Sequence, residues 1–454
     1  MKMKKLISLL MSLVLLLTAG CSDISQNASK NDANDNKNKA VKEQNEITIA
    51  IWKGDLDGLG YYYNIFKTYR YKFEKEKGVK VNFDVISGSY EDYSKKLSTK
   101  LYATEGPTLI FISYYDTYEK YINSGIVLKV DGKIGNLEKV YDNLRNEYFV
   151  PIGMVYEPIE LNGKVLNELG LKEPDFNWSR KDYLEIKEKW LNHEPIYLIP
   201  ELYWELVDNI VYDLDILDLS NKKISLNKPE VIKYIKSIKE EINSGKYILY
   251  DDYKCENYYK MIFESSSDEY KKAKEMANLI YDKMLRKFYP GNALKTLKMG
   301  LVVDIDKDVI LPNVVYSEPK LKTWAFLVNR NGKNVELGIE FLNGLLSDEM
   351  QIEMFKSKFD TYPVSKAIES KIEEIEKQNN INEKAVKLRK FILEQIETGN
   401  YKPFAEKDRT IDAIEFLLMK EMTKFIFADE SYTDEEISQE LQKLENKYNI
   451  WLNE

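Results

Sequence analysis

The stretch that decides the fold is TWAFLVNRNGKNVELGIEFLNGLLSDEMQIEMFKSKFDTYPVSKA, residues 323–367. Residues 324–328 (WAFLV) are five consecutive apolar residues, and the turn-forming Asn329, Asn331 and Gly332 stop the run. A continuous apolar run bounded in this way is typical of a strand that is covered on both faces. The sequence therefore predicts a buried strand here.

Two helices are predicted after this strand. The apolar positions of the first helix recur at helical spacing, at Val335, Ile339, Leu342 and Leu346. Ser347 offers an oxygen to the free amides of a new helical turn, and Asp348 and Glu349 place negative charge at the positive end of its dipole. Pro363 lacks a backbone donor, so the second helix should end before it.

Strands and helices also alternate at the start of the globular part. The predicted elements are a strand at 47–52, a turn at 53–58, a helix at 61–77, a strand at 78–85, a helix at 90–103 and a strand at 109–112. Such alternation favours a mostly parallel, doubly wound α/β sheet.

The strand, helix, Ser-Asp-Glu helix and Tyr-Pro exit of the late stretch closely resemble the extracellular solute-binding proteins of ABC importers. The resemblance is to the sugar-binding branch, which includes maltose- and multiple-sugar-binding lipoproteins. Further stretches that carry it are 47–52, 78–85, 106–112, 148–151, 169–174, 178–183, 221–230 and 298–304. Together they cover nearly all of residues 47–368.

The resemblance implies a two-lobed α/β fold, in which each lobe is a mostly parallel sheet flanked by helices and a ligand cleft lies between the lobes. It also implies that the late stretch returns the chain to the first lobe. The predicted division is a signal peptide at 1–20, a disordered tether at 21–46, a first lobe at 47–155 and 323–368, and a second lobe at 156–322 and 369–454.

The first 21 residues have the parts of an export signal. Basic MKMKK is followed by a twelve-residue apolar run and Thr18-Ala19-Gly20-Cys21, whose ending resembles a bacterial lipobox. The resemblance implies that Cys21 carries lipid and anchors the protein on the extracytoplasmic face of the membrane; a plain secretory signal is the alternative. Residues 22–46 are almost devoid of apolar side chains, which is typical of a flexible tether.

Composition excludes several function classes. The chain has 454 residues, 44% of them hydrophobic, and a formal charge of -9, so it has surface enough for more than one core and lacks the basic excess that nucleic acid requires. His193 is the single histidine and Cys255 the single cysteine besides Cys21, which leaves no nitrogen and sulfur set for zinc or haem. No cofactor, metal site or catalytic residue is predicted.

Ligands of open α/β sheets bind at the carboxyl ends of the strands. A sugar offers apolar faces and hydroxyls, so it needs flat aromatic rings together with carboxylates or amides. The residues predicted to contact ligand are Trp52, Asp55, Asp57, Tyr114, Tyr115, Trp204, Asp304 and Trp324. For the three tryptophans, packing in the core is the alternative interpretation.

The predicted function is a monomeric, lipid-anchored binding protein that closes over a small solute and presents it to an ABC permease. Carbohydrate is the solute implied by the resemblance, whereas the acidic set Asp55, Asp57 and Asp304 would equally suit a polyamine or another cation. A sensor or adhesin on the same fold is a second hypothesis. A glycosidase is a third, although no spacing selects a pair of carboxylates for it.

Overall fold

The computed structural model of the chain describes residues 45–113, 118–156, 158–193, 195–198, 200–249, 255–264, 266–273, 275, 308–314, 320–356, 362–403, 406–428 and 431–453. Among the predicted positions, Cys21, Tyr114, Tyr115 and Asp304 lie outside the described residues, as do the tether at 22–44 and the stretch 298–304.

Twelve strands are described. They are β1 (Glu46–Trp52), β2 (Lys80–Ile86), β3 (Leu109–Ile112), β4 (Val150–Val155), β5 (Ile159–Asn162), β6 (Ile196–Tyr197), β7 (Leu217–Asp218), β8 (Lys223–Ile224), β9 (Tyr247–Ile248), β10 (Asp308–Leu311), β11 (Lys320–Val328) and β12 (Lys402–Pro403).

Fourteen helices are described. They are α1 (Lys53–Lys77), α2 (Tyr90–Leu101), α3 (Glu119–Asn123), α4 (Gly163–Glu168), α5 (Arg180–His193), α6 (Pro200–Asp213), α7 (Pro229–Ile242), α8 (Cys255–Phe263), α9 (Val335–Leu345), α10 (Asp348–Lys356), α11 (Glu369–Gln378), α12 (Glu383–Glu397), α13 (Glu406–Ile426) and α14 (Asp434–Asn453).

Six strands form one sheet in the order β12-β11-β3-β1-β2, with β4 paired to the other part of β11. β1 runs parallel to β2 and β3, whereas β11 runs antiparallel to β3 with Phe326 opposite Phe111. The late stretch therefore joins the same sheet as residues 47–112, as predicted. The predicted strand at 324–328 and the two helices after it, α9 and α10, are confirmed.

Both faces of this sheet are covered, which explains its continuous apolar strands. Along β3, Leu109 and Phe111 join the core on one face, and Ile110 and Ile112 join the core on the other. All four side chains are at most 2% exposed. This alternation follows from the two-residue period of a strand, so the sheet is the centre of a three-layer unit, which we call the first core.

The segment after β1 differs from its prediction. Residues 53–58 are rich in glycine and aspartate and were expected to form a turn, but α1 begins at Lys53 directly after the strand. Asp55 lies in the first helical turn, where its charge faces the positive end of the helix dipole. Because the helix starts this early, Asp55 is held on a rigid element at the end of β1.

A second core forms around α6, α7 and α13, with α8 and α14 packed beside them. Its largest fully buried side chains include Trp190, Tyr183 and Tyr203. The strands described here are two-residue or four-residue pairs: β5 with β10 and β7 with β8 are antiparallel, and β6 with β9 is parallel. Helices therefore dominate the described part of this core.

The packing of α11 and α12 differs from the predicted lobe boundary at residue 369. Their apolar side chains, including Ile372, Leu388 and Ile396, belong to the first core. The buried guanidinium of Arg389 holds the pair together, since it donates two hydrogen bonds to Glu376, of 2.7 and 2.9 Å. The chain enters the second core only with α13, whose Ile414 and Leu418 pack there, listed after the helix start at residue 406.

Candidate functional site

The carboxyl ends of β1 and β3 lie side by side. The two strands are parallel neighbours, with Ile49 opposite Leu109 and Ala50 opposite Ile110. The segments that follow them, from Trp52 and from Ser113, therefore leave the sheet at the same edge. This is the edge where ligands of open α/β sheets bind.

Trp52 is the last residue of β1 and is held in place from several sides. Its indole N–H donates to the carbonyl oxygen of Gly88 at 3.0 Å, and its ring lies 6.3 Å from that of Tyr93. The indole also folds over Gly54, where an added Cβ would lie only 2.7 Å from the ring. A side chain at position 54 would displace Trp52, so the two residues form a unit at the strand end.

Asp55 is a buried carboxylate beside this unit, with 6% of its surface exposed. Burial raises its pKa to about 6, and a hydrogen bond from Ser113 acts in the opposite direction. Its Oδ2 atom is buried and has no hydrogen-bond partner among the described residues. A buried acceptor without a partner is energetically unfavourable, so this oxygen is suited to a donor supplied by a ligand, either a hydroxyl or an ammonium group.

The segment after β3 is contacted by an arginine from the second core. Arg409 in the first turn of α13 is 8% exposed and forms an ion pair with Glu119. Its guanidinium carbon lies 4.9 Å from the ring centre of Tyr118, and that ring stacks on Phe149 at 5.2 Å. The Nε atom of Arg409 is buried and has no partner among the described residues.

The chain passes between the two cores in three places, and side chains of these crossings meet. Tyr156, just after β4, stacks on Tyr401 with ring centres 5.3 Å apart and an interplanar angle of 16°. The hydroxyl of Tyr156 accepts a hydrogen bond of 2.7 Å from the backbone N–H of Asn313. One residue from each crossing therefore contributes to a single cluster, which is the arrangement expected of a hinge.

The structure brings together Trp52 and Asp55 among the predicted ligand contacts. Asp57 follows in α1, but its side chain is outside the description. Trp204 on α6 packs against the second core, and its buried indole N–H has no partner among the described residues. Trp324 packs against the first core, 5.6 Å from the ring of Phe111. A ligand contact for each of these residues remains a prediction.

Ser113, Tyr118 and Arg409 were not found from the sequence. Ser113 follows a predicted strand and could have been inferred from its position. Arg409 is 290 residues away from its partner Glu119. One weak signal was present, since a basic residue in the first turn of a helix opposes the dipole and needs a reason to be there.

Other features of the described residues limit the chemistry. Within these ranges no group of three or more potential ligands could hold a metal ion, and no helix is long and apolar enough to cross a membrane. A cavity of about 330 Å³ lies between α4 and α12, away from the ends of β1 and β3. Its lining residues are Gly163, Lys164, Leu166, Asn167, Leu171, Glu173, Val309 and Lys384.

Comparison with known proteins identifies the relatives of this architecture. Residues 52–229 match the family described as bacterial extracellular solute-binding protein. A search of curated proteins finds no match. Among solved structures, a periplasmic-binding protein from Synechococcus sp. MITs9220 is 11% identical with a TM-score of 0.60, and the match covers 90% of this chain and 99% of that one.

Two further structures have the same fold. The ABC substrate-binding protein from Listeria monocytogenes in complex with cycloalternan is 13% identical, with a TM-score of 0.52 and coverage of 90% of this chain and 100% of that one. Maltose-bound T. maritima MalE3 is 15% identical, with a TM-score of 0.52 and coverage of 88% and 99%. The two-lobed α/β fold and the resemblance to extracellular solute-binding proteins, both predicted from the sequence, are confirmed.

Proposed function

We propose that this extracellular solute-binding protein of the sugar-binding type captures a small carbohydrate between its lobes and delivers it to an ABC permease. Its two lobes would close when ligand contacts both, because only the closed form offers the ligand all its partners. The protein acts as a monomer that binds its solute without chemical conversion.

The observation that carries this proposal is the buried Asp55 carboxylate beside Trp52. An Oδ2 atom without a partner among the described residues matches a sugar hydroxyl, which donates one hydrogen bond. Trp52 supplies an aromatic ring next to it, and the packing of that ring is fixed by Gly54 and Gly88. The three relatives compared above include one bound to cycloalternan and one bound to maltose, which supports a carbohydrate ligand.

We assign α11 and α12 to the first lobe, in view of their packing on the first core. The first lobe then comprises residues 47–155, 323–368 and 369–403, and the second comprises 156–322 and 406–454. This division keeps the three crossings at Tyr156, Asn313 and Tyr401, so closure would pivot about their shared cluster.

The N-terminal region would place the protein on the outer face of the cell membrane. In this proposal the signal at 1–20 is removed, Cys21 is lipidated, and the polar residues 22–46 act as a tether. Such a tether would allow the folded lobes to collect solute and still reach a permease in the same membrane.

A thermal-shift screen tests the ligand class. The panel contains maltose, maltotriose and galactose, the polyamine spermidine, and a mixed peptide pool, each at millimolar concentration. A sugar that binds the folded state should raise the melting temperature, since ligand at about a thousandfold excess over Kd adds about 4 kcal/mol. Stabilisation by spermidine alone would favour the cationic ligand that Asp55 would also suit.

The same samples address the alternative of catalysis. Incubation with the stabilising oligosaccharide should leave its chain length unchanged when it is analysed by chromatography. Appearance of shorter products would replace the binding proposal with a glycosidase.

A further inference from the structure

One contact joins the two lobes directly, outside the hinge cluster. Arg409 lies on α13, whose apolar face, including Ile414 and Leu418, is part of the second core. Its partner Glu119 begins α3, and Tyr121 of that helix belongs to the core on one face of the first sheet. The ion pair therefore connects elements that are anchored in different cores.

The contact is at the cleft edge of the first lobe. Tyr118 and Glu119 are the first described residues after Ser113, which ends the segment at the carboxyl end of β3. Tyr118 is fixed on the first lobe by its stack on Phe149. Burial, followed by the charge of Glu119, raises the pKa of Tyr118, and Arg409 partly offsets this rise. The tyrosine thus senses both charges of the pair.

Burial of Arg409 depends on these first-lobe partners. The guanidinium has lost most of its water, and its Nε atom has gained no partner among the described residues. A buried charge that is only partly hydrogen-bonded is stable only while its ion pair is made. Without Glu119, the lower-energy arrangement is one in which Arg409 regains water. Since α13 is anchored in the second core, that requires the lobes to separate.

We propose that Arg409 is a positioning residue for closure, which clamps α13 to the segment after β3 and favours the closed form before any ligand is bound. This deepens the proposed function, because it rests on closure of two lobes, but it does not depend on which ligand is bound. The segment that the clamp positions is the one that follows β3 at the predicted ligand edge.

Distances between the lobes in the ligand-free protein test the clamp. The chain carries Cys21→Ser and Cys255→Ser, and spin labels are attached at the exposed positions Asp131→Cys and Lys233→Cys. Pulsed electron resonance then gives the distribution of distances. The clamp variants are Arg409→Gln, Arg409→Lys, Glu119→Gln and the Arg409→Gln and Glu119→Gln double variant.

We expect Glu119→Gln and Arg409→Gln each to shift the ratio of long to short distances by roughly tenfold toward the long ones. The double variant should shift it no further than either single variant, because both remove the same contact. Arg409→Lys keeps the charge but not the planar fork, so it should restore part of the short population.

The control is Glu440→Gln, which removes an ion pair with Lys424 inside the second lobe. It should leave the distance distribution unchanged, whereas a shift equal to that of Glu119→Gln would overturn the proposal. Unchanged distances in Glu119→Gln would also overturn it, and this variant keeps its result even if Arg409→Gln fails to fold. Failure of the proposed sugar function would appear instead as absence of stabilisation in the thermal-shift screen.

Discussion

Replacing Asp55 with asparagine should stabilise the folded protein at neutral pH and weaken its binding of solute. The carboxylate is 6% exposed, so ionising it in the folded state removes charge from water. Asparagine has nearly the same shape and keeps an oxygen that can accept the Ser113 hydrogen bond. It carries no charge, and the penalty of burying one disappears.

The magnitude follows from the pKa of Asp55, which rises from 3.8 to about 6 on folding. At about 1.4 kcal/mol per pKa unit, this shift corresponds to about 3 kcal/mol. Because the folded-state pKa is the higher one, the folded protein holds the proton more tightly than the unfolded chain. Stability therefore falls as the pH rises from 3.8 to about 6 and stays lower above that range.

The assay is a series of thermal melts of wild type and Asp55→Asn between pH 4 and pH 8, with about half a pH unit between samples. The difference in melting temperature should be close to zero at the acid end and should reach several degrees above pH 6. Asp131→Asn, at an exposed position, is the matched control and should show no such trend. Calorimetry with the sugar found in the screen should show weaker binding by Asp55→Asn.

Two results would refute this reasoning. A variant that is less stable than wild type at pH 8 would mean that the Asp55 carboxylate stabilises the folded protein. A variant that is more stable but binds sugar with unchanged affinity would separate Asp55 from the ligand site.

Three further predictions concern the hinge, the aromatic ring and the anchor. Tyr156→Phe should lower the free energy of unfolding by roughly 1–3 kcal/mol in urea titration, because the Asn313 N–H loses its acceptor; unchanged stability would contradict this. Trp52→Ala should weaken sugar binding roughly tenfold by calorimetry, and an unchanged Kd would remove Trp52 from the site. Cys21→Ser should move the protein from the membrane fraction to the medium, whereas Cys255→Ser should leave it membrane-bound; equal fractionation of the two would exclude the anchor.

The sequence predicted the first sheet well because its strands are continuous apolar runs. Residues 109–112 and 324–328 have no polar member, so each had to be covered on both faces, and both lie at the centre of the sheet. It failed at residues 53–58, where glycine and aspartate suggested a turn. The apolar packing of α1 further along the helix, at Phe66 and Phe73, outweighs the low helix propensity of its first turn.

Docking of the late helices could not be read from local sequence. An amphipathic helix such as α12 shows that one face is buried but not which core buries it. Here Leu388 and Ile392 pack on the first core, and the ion pairs of Arg389 fix that choice. The same limit applies to Arg409, whose role depends on a partner 290 residues away.

The site was predictable only where chain order coincides with sheet geometry. Asp55 follows β1 directly, so the rule that ligands meet strand ends was enough to find it. Its burial and its unpartnered Oδ2 atom depend on Ser113 and on the early start of α1, which the sequence did not reveal.

Small-angle X-ray scattering, with and without the sugar identified in the screen, tests lobe closure over a carbohydrate most directly. Saturating sugar should reduce the radius of gyration of the monomer, while a sugar that does not bind should leave it unchanged. Tight binding with no change in the radius of gyration would contradict capture by closure.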